Sequence, residues 1–304
     1  MRASTQTFYE DAVRGAVRAI VADLDQALEL DALARAAACS MFHFHRIFKG
    51  MVGETPLQLH RRLRLERAAH ELMHGERPVT AIAFAAGYDS HEGFTRAFQG
   101  RYGHAPSSWR ELARERHFHS TRLPTRTGIH YEVGGPSADK LTLITPGGPI
   151  MNVDIVTTDA LRVATLRHTG PYHLIGDTFT ALHGKVAPLD LYARPGTFTV
   201  AIYHDDQDQT PSSELRSDAG IIVPDDLELP DGLTEVTTTG GRYARWTHTG
   251  SYASLGDAWA RFMGEWLPAS GERMREGTCY ELYRNSPAHT PEDELVTELY
   301  VAIA

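Results

Sequence analysis

The sequence predicts two unlike domains, an all-α one followed across a linker by an α+β one. Three observations predict this. Residues 11–115 keep apolar side chains at helical spacing, and that spacing stops after His117. Each half also repeats itself at its own offset, 50 residues in the first and 80 in the second.

A chain of 304 residues, 42% hydrophobic and 23% charged, has room for two globular domains. The longest apolar runs are far shorter than a bilayer span and the first thirty residues carry several acids, so neither a membrane helix nor a secretory signal is expected. The two cysteines, Cys39 and Cys279, lie far apart with no second ligand beside them. That argues against disulfides and structural zinc and places the chain in a reducing cytoplasm. No P-loop, HExxH pattern or Ser-His-Asp set is found, and no cofactor or metal is expected.

The net charge of −9 is unevenly spread. Residues 1–116 hold 16 Lys/Arg against 14 Asp/Glu, and residues 117–304 hold 14 against 25. Within 35–67 the cations Arg35, Arg46, Lys49, Arg61, Arg62, Arg64 and Arg67 face only Glu54 and Glu66. A local basic patch is what phosphate contact requires, whatever the global sign.

In the first half, Phe44, Arg46, Phe48, Gly53 and Pro56 recur as Phe94, Arg96, Phe98, Gly103 and Pro106. Each unit reads as a short helix (32–37; 80–86), a turn and a second helix (41–51; 91–101). Gly87 suits a reversal that needs φ > 0, and Ser40 and Ser90 stand at N-cap positions. Phe44, Ile47, Phe48 and Met51 form one apolar face, as do Phe94, Ala97 and Phe98. Phe42, His45, Arg46 and Lys49 are then expected outward on one helix, and His91, Glu92, Thr95 and Arg96 on the other. Such a face is either a solvated surface or a reader of base edges in a major groove. The repeat favours the second reading, since a helix from Leu57 to about His74 would hold two readers roughly one DNA turn apart, near 34 Å.

The run Ile82-Ala83-Phe84-Ala85-Ala86-Gly87-Tyr88-Asp89-Ser90, with Phe94, Arg96, Phe98, Gly103, Pro106 and Trp109-Arg110, resembles the signature of the AraC/XylS family of transcription regulators. Ser40, His43, Arg46, Phe48-Lys49, Gly53 and Pro56 fit its first unit. The resemblance covers about residues 8–115. It implies a double helix-turn-helix domain whose second helices enter successive major grooves, with double-stranded DNA as partner. By position, Phe42, His45 and Arg46 would be base or backbone contacts in the first unit. His91, Glu92, Thr95 and Arg96 would take those roles in the second. Glu92 would accept from a cytosine amino group or restrain Arg96.

Residues 116–150 read as a linker punctuated by Pro124, Gly128, Gly134-Gly135-Pro136 and Pro146-Gly147-Gly148-Pro149, with short strands expected near 129–133 and 141–145.

From 151 to 304 the offset of 80 aligns Val156-Thr157-Thr158 with Val236-Thr237-Thr238, His168-Thr169-Gly170 with His248-Thr249-Gly250, and Tyr172 and Tyr203 with Tyr252 and Tyr283. Each unit reads strand, strand, helix, strand, strand: 153–157, 162–167, 172–182, 197–204 and 219–223, then 233–239, 242–248, 252–267, 278–284 and 295–303. The expected architecture is one antiparallel sheet with two helices across one face and a cleft on the other, near a pseudo-twofold axis.

Arg167-His168-Thr169-Gly170-Pro171-Tyr172, Thr247-His248-Thr249-Gly250-Ser251-Tyr252 and Tyr280-Glu281-Leu282-Tyr283 resemble the GyrI-like (SHS2-repeat) ligand-binding domain of multidrug-responsive regulators. The carrying residue is Glu281, whose counterpart in the first repeat is Ala201. An acid added to one half only, in an interior strand beside Cys279 and Tyr283, is costly unless it has a purpose. It suits a lipophilic cation held by charge and aromatic faces, with Tyr172, Tyr203, Tyr252, Tyr283 and Trp246 as candidate walls. The resemblance implies the same small-molecule effector. A plain ion pair between Glu281 and Arg245 is the competing reading, and Tyr172 and Tyr252 would then only staple helices to the sheet. Some GyrI-like proteins resemble hydrolases of cyclopropanoid DNA-damaging compounds; there Glu281 would be the general acid/base. Contact with a protein, such as RNA polymerase or a topoisomerase, rather than a metabolite is the third alternative.

Overall fold

The computed structural model describes residues 2–26, 28–29, 32, 34–35, 41–116, 123, 125, 127–144, 151–205 and 210–304. Helix α1 (Arg2–Ala22) buries Tyr9, Val13, Ala16, Val17 and Ile20 along one stripe. Helix α2 (Met41–Val52) buries Phe44, Ile47, Phe48 and Met51, as its spacing requires. The expected helix 32–37 and the N-cap Ser40 fall largely outside the described residues. Helix α3 (Pro56–His74) starts from a capping box: the Thr55 side chain accepts from Gln58 N at 3.2 Å, and Gln58 Oε1 accepts from Thr55 N at 3.0 Å.

Helices α4 (Val79–Ala85), α5 (His91–Tyr102) and α6 (Pro106–Arg116) complete the helical half. Gly87 takes φ 79°, the left-handed value the turn between α4 and α5 demands. Ser90 Oγ accepts from Gly93 N at 3.0 Å and caps α5.

The linker strands are corrected. Residues 129–133 and 141–144 form no strand, and between them lie a turn at Val133-Gly134 and a 3-10 turn at Ala138–Lys140. It is tied by single bonds, Thr142 N to Thr127 O at 2.9 Å and Ile144 N to Met51 O at 2.7 Å. Ile129 and Leu141 enter the core as separate anchors, which needs no ladder.

The second half is one eight-stranded antiparallel sheet in the order β1-β6-β8-β7-β3-β4-β2-β5. The strands are β1 (Val153–Thr158), β2 (Arg162–Thr169), β3 (Thr199–Tyr203), β4 (Arg216–Ile222), β5 (Thr234–Thr237), β6 (Gly241–Thr249), β7 (Tyr280–Tyr283) and β8 (Val296–Ala302). The order is palindromic under the 80-residue repeat, so the duplication is a pseudo-twofold axis. Ala201 and Glu281, repeat equivalents, pair directly across it. The repeats also exchange their first strands, with β1 on β6 of the second unit and β5 on β2 of the first. Helix α7 (Ile175–Val186) covers one half, and α8 (Leu255–Arg261) the other, running on through a π-helical turn at Phe262–Trp266 to Leu267–Ser270.

Three cores result. Leu65, Ala68, Ala69 and Leu72 of α3 join Ile82, Phe94, Phe98, Tyr102 and Trp109 in a core private to the second helix pair. The open face of the sheet gathers Tyr243, Tyr280 and Tyr300 with Val163, Val200 and Leu282. The largest core takes α1, α2 and the start of α3 (Leu59, Leu63) together with Trp259, Phe262, Met263 and Ile303. Helix α2 is therefore packed into the C-terminal half rather than beside the second helix pair.

Candidate functional site

Side chains alternate along β7, so Tyr280 and Leu282 enter the open-face core while Glu281 and Tyr283 turn to the helices. The cleft was expected on the uncovered face, but Glu281 lies on the helix-covered one, between the two repeats. Its side chain is 2% exposed. Three donors meet the carboxylate: Trp259 Nε1 at 2.6 Å, Tyr283 OH at 2.6 Å and Tyr203 OH at 3.1 Å. Burial first, and then the Glu281 charge, push both phenols well above their ordinary pKa, which keeps them protonated donors.

The rings around the acid come in repeat-related pairs: Tyr172 with Tyr252, Phe179 with Trp259, Tyr203 with Tyr283. Tyr172 stands edge-on to Tyr203 at 4.8 Å, Tyr252 to Tyr283 at 5.2 Å and Phe179 to Tyr283 at 5.6 Å. Tyr172 has a second task, since its hydroxyl donates to Asp205 O at 2.6 Å and accepts from Asp205 N at 3.0 Å. Burial pushes the neighbouring Cys279 thiol up to about 11, so it stays protonated at neutral pH.

Trp246 stands apart from this ring. The register runs Trp246 to Leu299 to Glu281, two strands across, and the indole packs on Phe262 with Arg261 over it at 5.7 Å. Arg245 pairs with Asp154 at 2.7 Å and lies 3.9 Å from Glu298, so the ion pair weighed for Glu281 is not made with it. Trp259 and Phe179, absent from the sequence-based candidates, also stand around the acid. The offset of 80 equates them and was the signal that would have found them.

Helix α5 presents His91, Glu92 and Arg96 to solvent with Thr95 half-buried, while Phe94 and Phe98 are fully buried. Helix α2 differs, and its expected outward face is corrected. Lys49 is exposed, but His45 is 4% exposed and the Arg46 guanidinium stacks on Trp259, 4.2 Å from the ring centroid. The side chain of Phe42 lies outside the described residues. Burial lowers the pKa of Arg46, and the foremost opposing influence is the Glu281 charge, followed by Cys279, Tyr203 and Tyr172. Arg46 thus packs on the rings that surround Glu281. The cause is a backbone crossing: a Cβ on Gly50 would lie 2.4 Å from Gly264 Cα.

The basic patch of 35–67 is also partly internal. Arg62 donates to both Glu54 oxygens at 2.6 and 2.9 Å, to Glu66 at 3.0 Å and to Ile129 O at 2.9 Å. Arg101 joins the same Glu66 at 2.9 Å. Arg67 bonds Asp25 and Ala85 O. Buried cations of this kind are paired, as their desolvation requires.

Among the described residues no helix is long and apolar enough to cross a membrane, and no group of three or more His, Cys, Asp or Glu could hold a metal ion.

Residues 151–304 match the GyrI-like small molecule binding domain, and residues 33–112 match a helix-turn-helix domain. The chain is 31% identical over 140 residues to a DNA gyrase inhibitor of Yersinia enterocolitica, 44% of this chain and 87% of that one. It is 27% identical over 267 residues to the transcriptional regulator Rob of Salmonella typhimurium, 86% of each. Among solved structures it resembles the EcmrR chain of an EcmrR–DNA complex at 16% identity and a TM-score of 0.40, over 50% of this chain and 57% of that one, little more than half the neighbour's length. The chain belongs to the GyrI-like family, its GyrI-like domain carried behind an AraC-type helix-turn-helix domain, and it is a DNA-binding transcription regulator that senses a small molecule through its C-terminal half.

Proposed function

We propose that the effector is a lipophilic organic cation held at Glu281 by Tyr203, Tyr283 and Trp259, with Tyr172, Tyr252 and Phe179 as outer walls. One observation carries this reading: a carboxylate 2% exposed, present in only one of two otherwise matched halves of an aromatic cage. An acid in such a place is costly unless a cation offsets it, and aromatic faces strengthen that attraction when water is excluded. Trp246, two strands away, is left to the core.

Helix α5 supplies the exposed DNA-reading surface through His91, Glu92, Thr95 and Arg96, its capped N-terminus turned outward to meet a phosphate. The corresponding residues of α2, Phe42, His45, Arg46 and Lys49, serve as the second reading surface when that helix is available.

The experiment is a melting series with two isosteres of opposite charge, tetraphenylphosphonium and tetraphenylborate. A ligand bound to the folded state raises its melting temperature. The phosphonium is expected to do so and the borate not, and Glu281→Gln is expected to erase the difference. Equal shifts from both ions would sink the cation reading. Product analysis of the same mixtures separates a sensor, which returns its ligand unchanged, from a hydrolase using Glu281.

A further inference from the structure

One helix cannot lie against the effector cleft and in a major groove at once. Helix α2 runs along the π-helical turn Phe262–Trp266, its Gly50 against Gly264, with Arg46 stacked on Trp259. The Nε1 edge of that same indole donates to Glu281 at 2.6 Å. So the cation stacked beside the acid is an arginine of α2, one of the two helices proposed above to read DNA. The guanidinium is planar, weakly hydrated and permanently charged, which makes it a fair stand-in for a flat organic cation.

Resting on the cation-site reading above, we propose that Arg46 is a tethered occupant of the effector site, and that this chain is autoinhibited: the docked α2 hides one of its two DNA-reading faces, and a lipophilic cation competing for Trp259 and Glu281 releases it. The pseudo-twofold supports a specific docking face. Gly184, the counterpart of Gly264 on α7, has no heavy atom within 4 Å of where a Cβ would stand, whereas Gly264 meets Gly50. Effector and closed form exclude each other, so the apparent effector affinity is the intrinsic one reduced by the fraction of open protein. By linkage, anything that opens the protein strengthens both effector and DNA binding.

Two variants of the full chain test this, because Arg46 itself would touch DNA and must not be judged on DNA binding alone. Arg46→Ala empties the site, and tetraphenylphosphonium affinity is expected to rise by about ten-fold or more. Gly264→Leu pushes α2 off without altering a reading residue. Amide hydrogen exchange in 44–52 is then expected to accelerate, as it should in the wild type on adding tetraphenylphosphonium. Affinity for a duplex selected in vitro with the full chain is expected to rise along with it. Equal phosphonium affinity in wild type and Arg46→Ala, abolished in both by Glu281→Gln, overturns the inference and leaves the cation site standing. Binding indifferent to Glu281→Gln overturns the site and the competition together. Faster exchange in Gly264→Leu with unchanged DNA affinity overturns the autoinhibition.

Discussion

Gly50 and Gly264 meet backbone to backbone: a Cβ on Gly50 would stand 2.4 Å from Gly264 Cα, and one on Gly264 would stand 2.2 Å from Gly50 Cα. Real Cβ atoms do not approach so closely. The contact exists because both residues lack a side chain, and it fixes how the helical half sits on the sheet.

Gly264→Ala should therefore cost stability, although alanine is the better helix former in isolation. Overpacking a close crossing costs about 1–3 kcal/mol, which urea denaturation reads directly. Gly184→Ala on α7 is the matched control, with open space at the Cβ, and should be neutral or slightly stabilising. Equal effects at the two positions would mean that the crossing is not made in solution.

Glu66 holds Arg62 at 3.0 Å and Arg101 at 2.9 Å and accepts from Tyr131 N at 2.9 Å, with its side chain 1% exposed. Removing one partner of such a network strands buried charge. Glu66→Ala is expected to destabilise the fold by about 3–5 kcal/mol. A loss below about 1 kcal/mol would show that water enters the cluster freely.

Arg96, exposed on α5, is expected to reach base edges. Arg96→Ala should weaken binding to a selected duplex by about 1–3 kcal/mol and relax its sequence preference. A loss spread evenly over all sequences, with a shallower salt dependence, would instead assign Arg96 to a phosphate.

Asp218, 2% exposed, supplies an acid-sensitive contact in the second half. Burial raises its carboxyl pKa, but His204 Nε2 at 2.6 Å and Arg167 Nε at 2.5 Å outweigh it and hold the group below the ordinary value. A carboxylate depressed on folding contributes stability that is complete above the unfolded pKa, about 3.9, and is lost as pH falls through the folded value. Asp218→Asn should remove that part of the acid limb in melting temperature against pH.

Much of the fold was legible because its signals are local or periodic. The apolar stripe of Phe44, Ile47, Phe48 and Met51 predicts α2 to within a residue, and the Ser90 cap predicts where α5 begins. The offset of 80 carried further still, since repeat equivalents in an antiparallel sheet meet at an axis. It placed Glu281 opposite Ala201 in the alignment, and the same two residues pair in the sheet. Placing the cleft on the uncovered face failed, because alternation along a strand separates two faces without saying which one the helices take. The linker strands failed because extended, apolar-punctuated chain reads alike whether it pairs in a ladder or is pinned at isolated anchors such as Ile129 and Leu141.

The sequence by itself determined two repeats, four of the six rings that surround the acid and the acid that only one repeat carries, because each of these is a pattern along the chain. Only the tertiary structure decided that β1 and β5 change places between repeats, and that Arg46 lies over Trp259 rather than in solvent. An exposed-looking helix face carries no mark of what will cover it, since burial by a distant segment depends on two surfaces meeting and not on either alone. Here they meet through two glycines, Gly50 and Gly264, whose missing side chains admit the approach and whose partnership no linear pattern records.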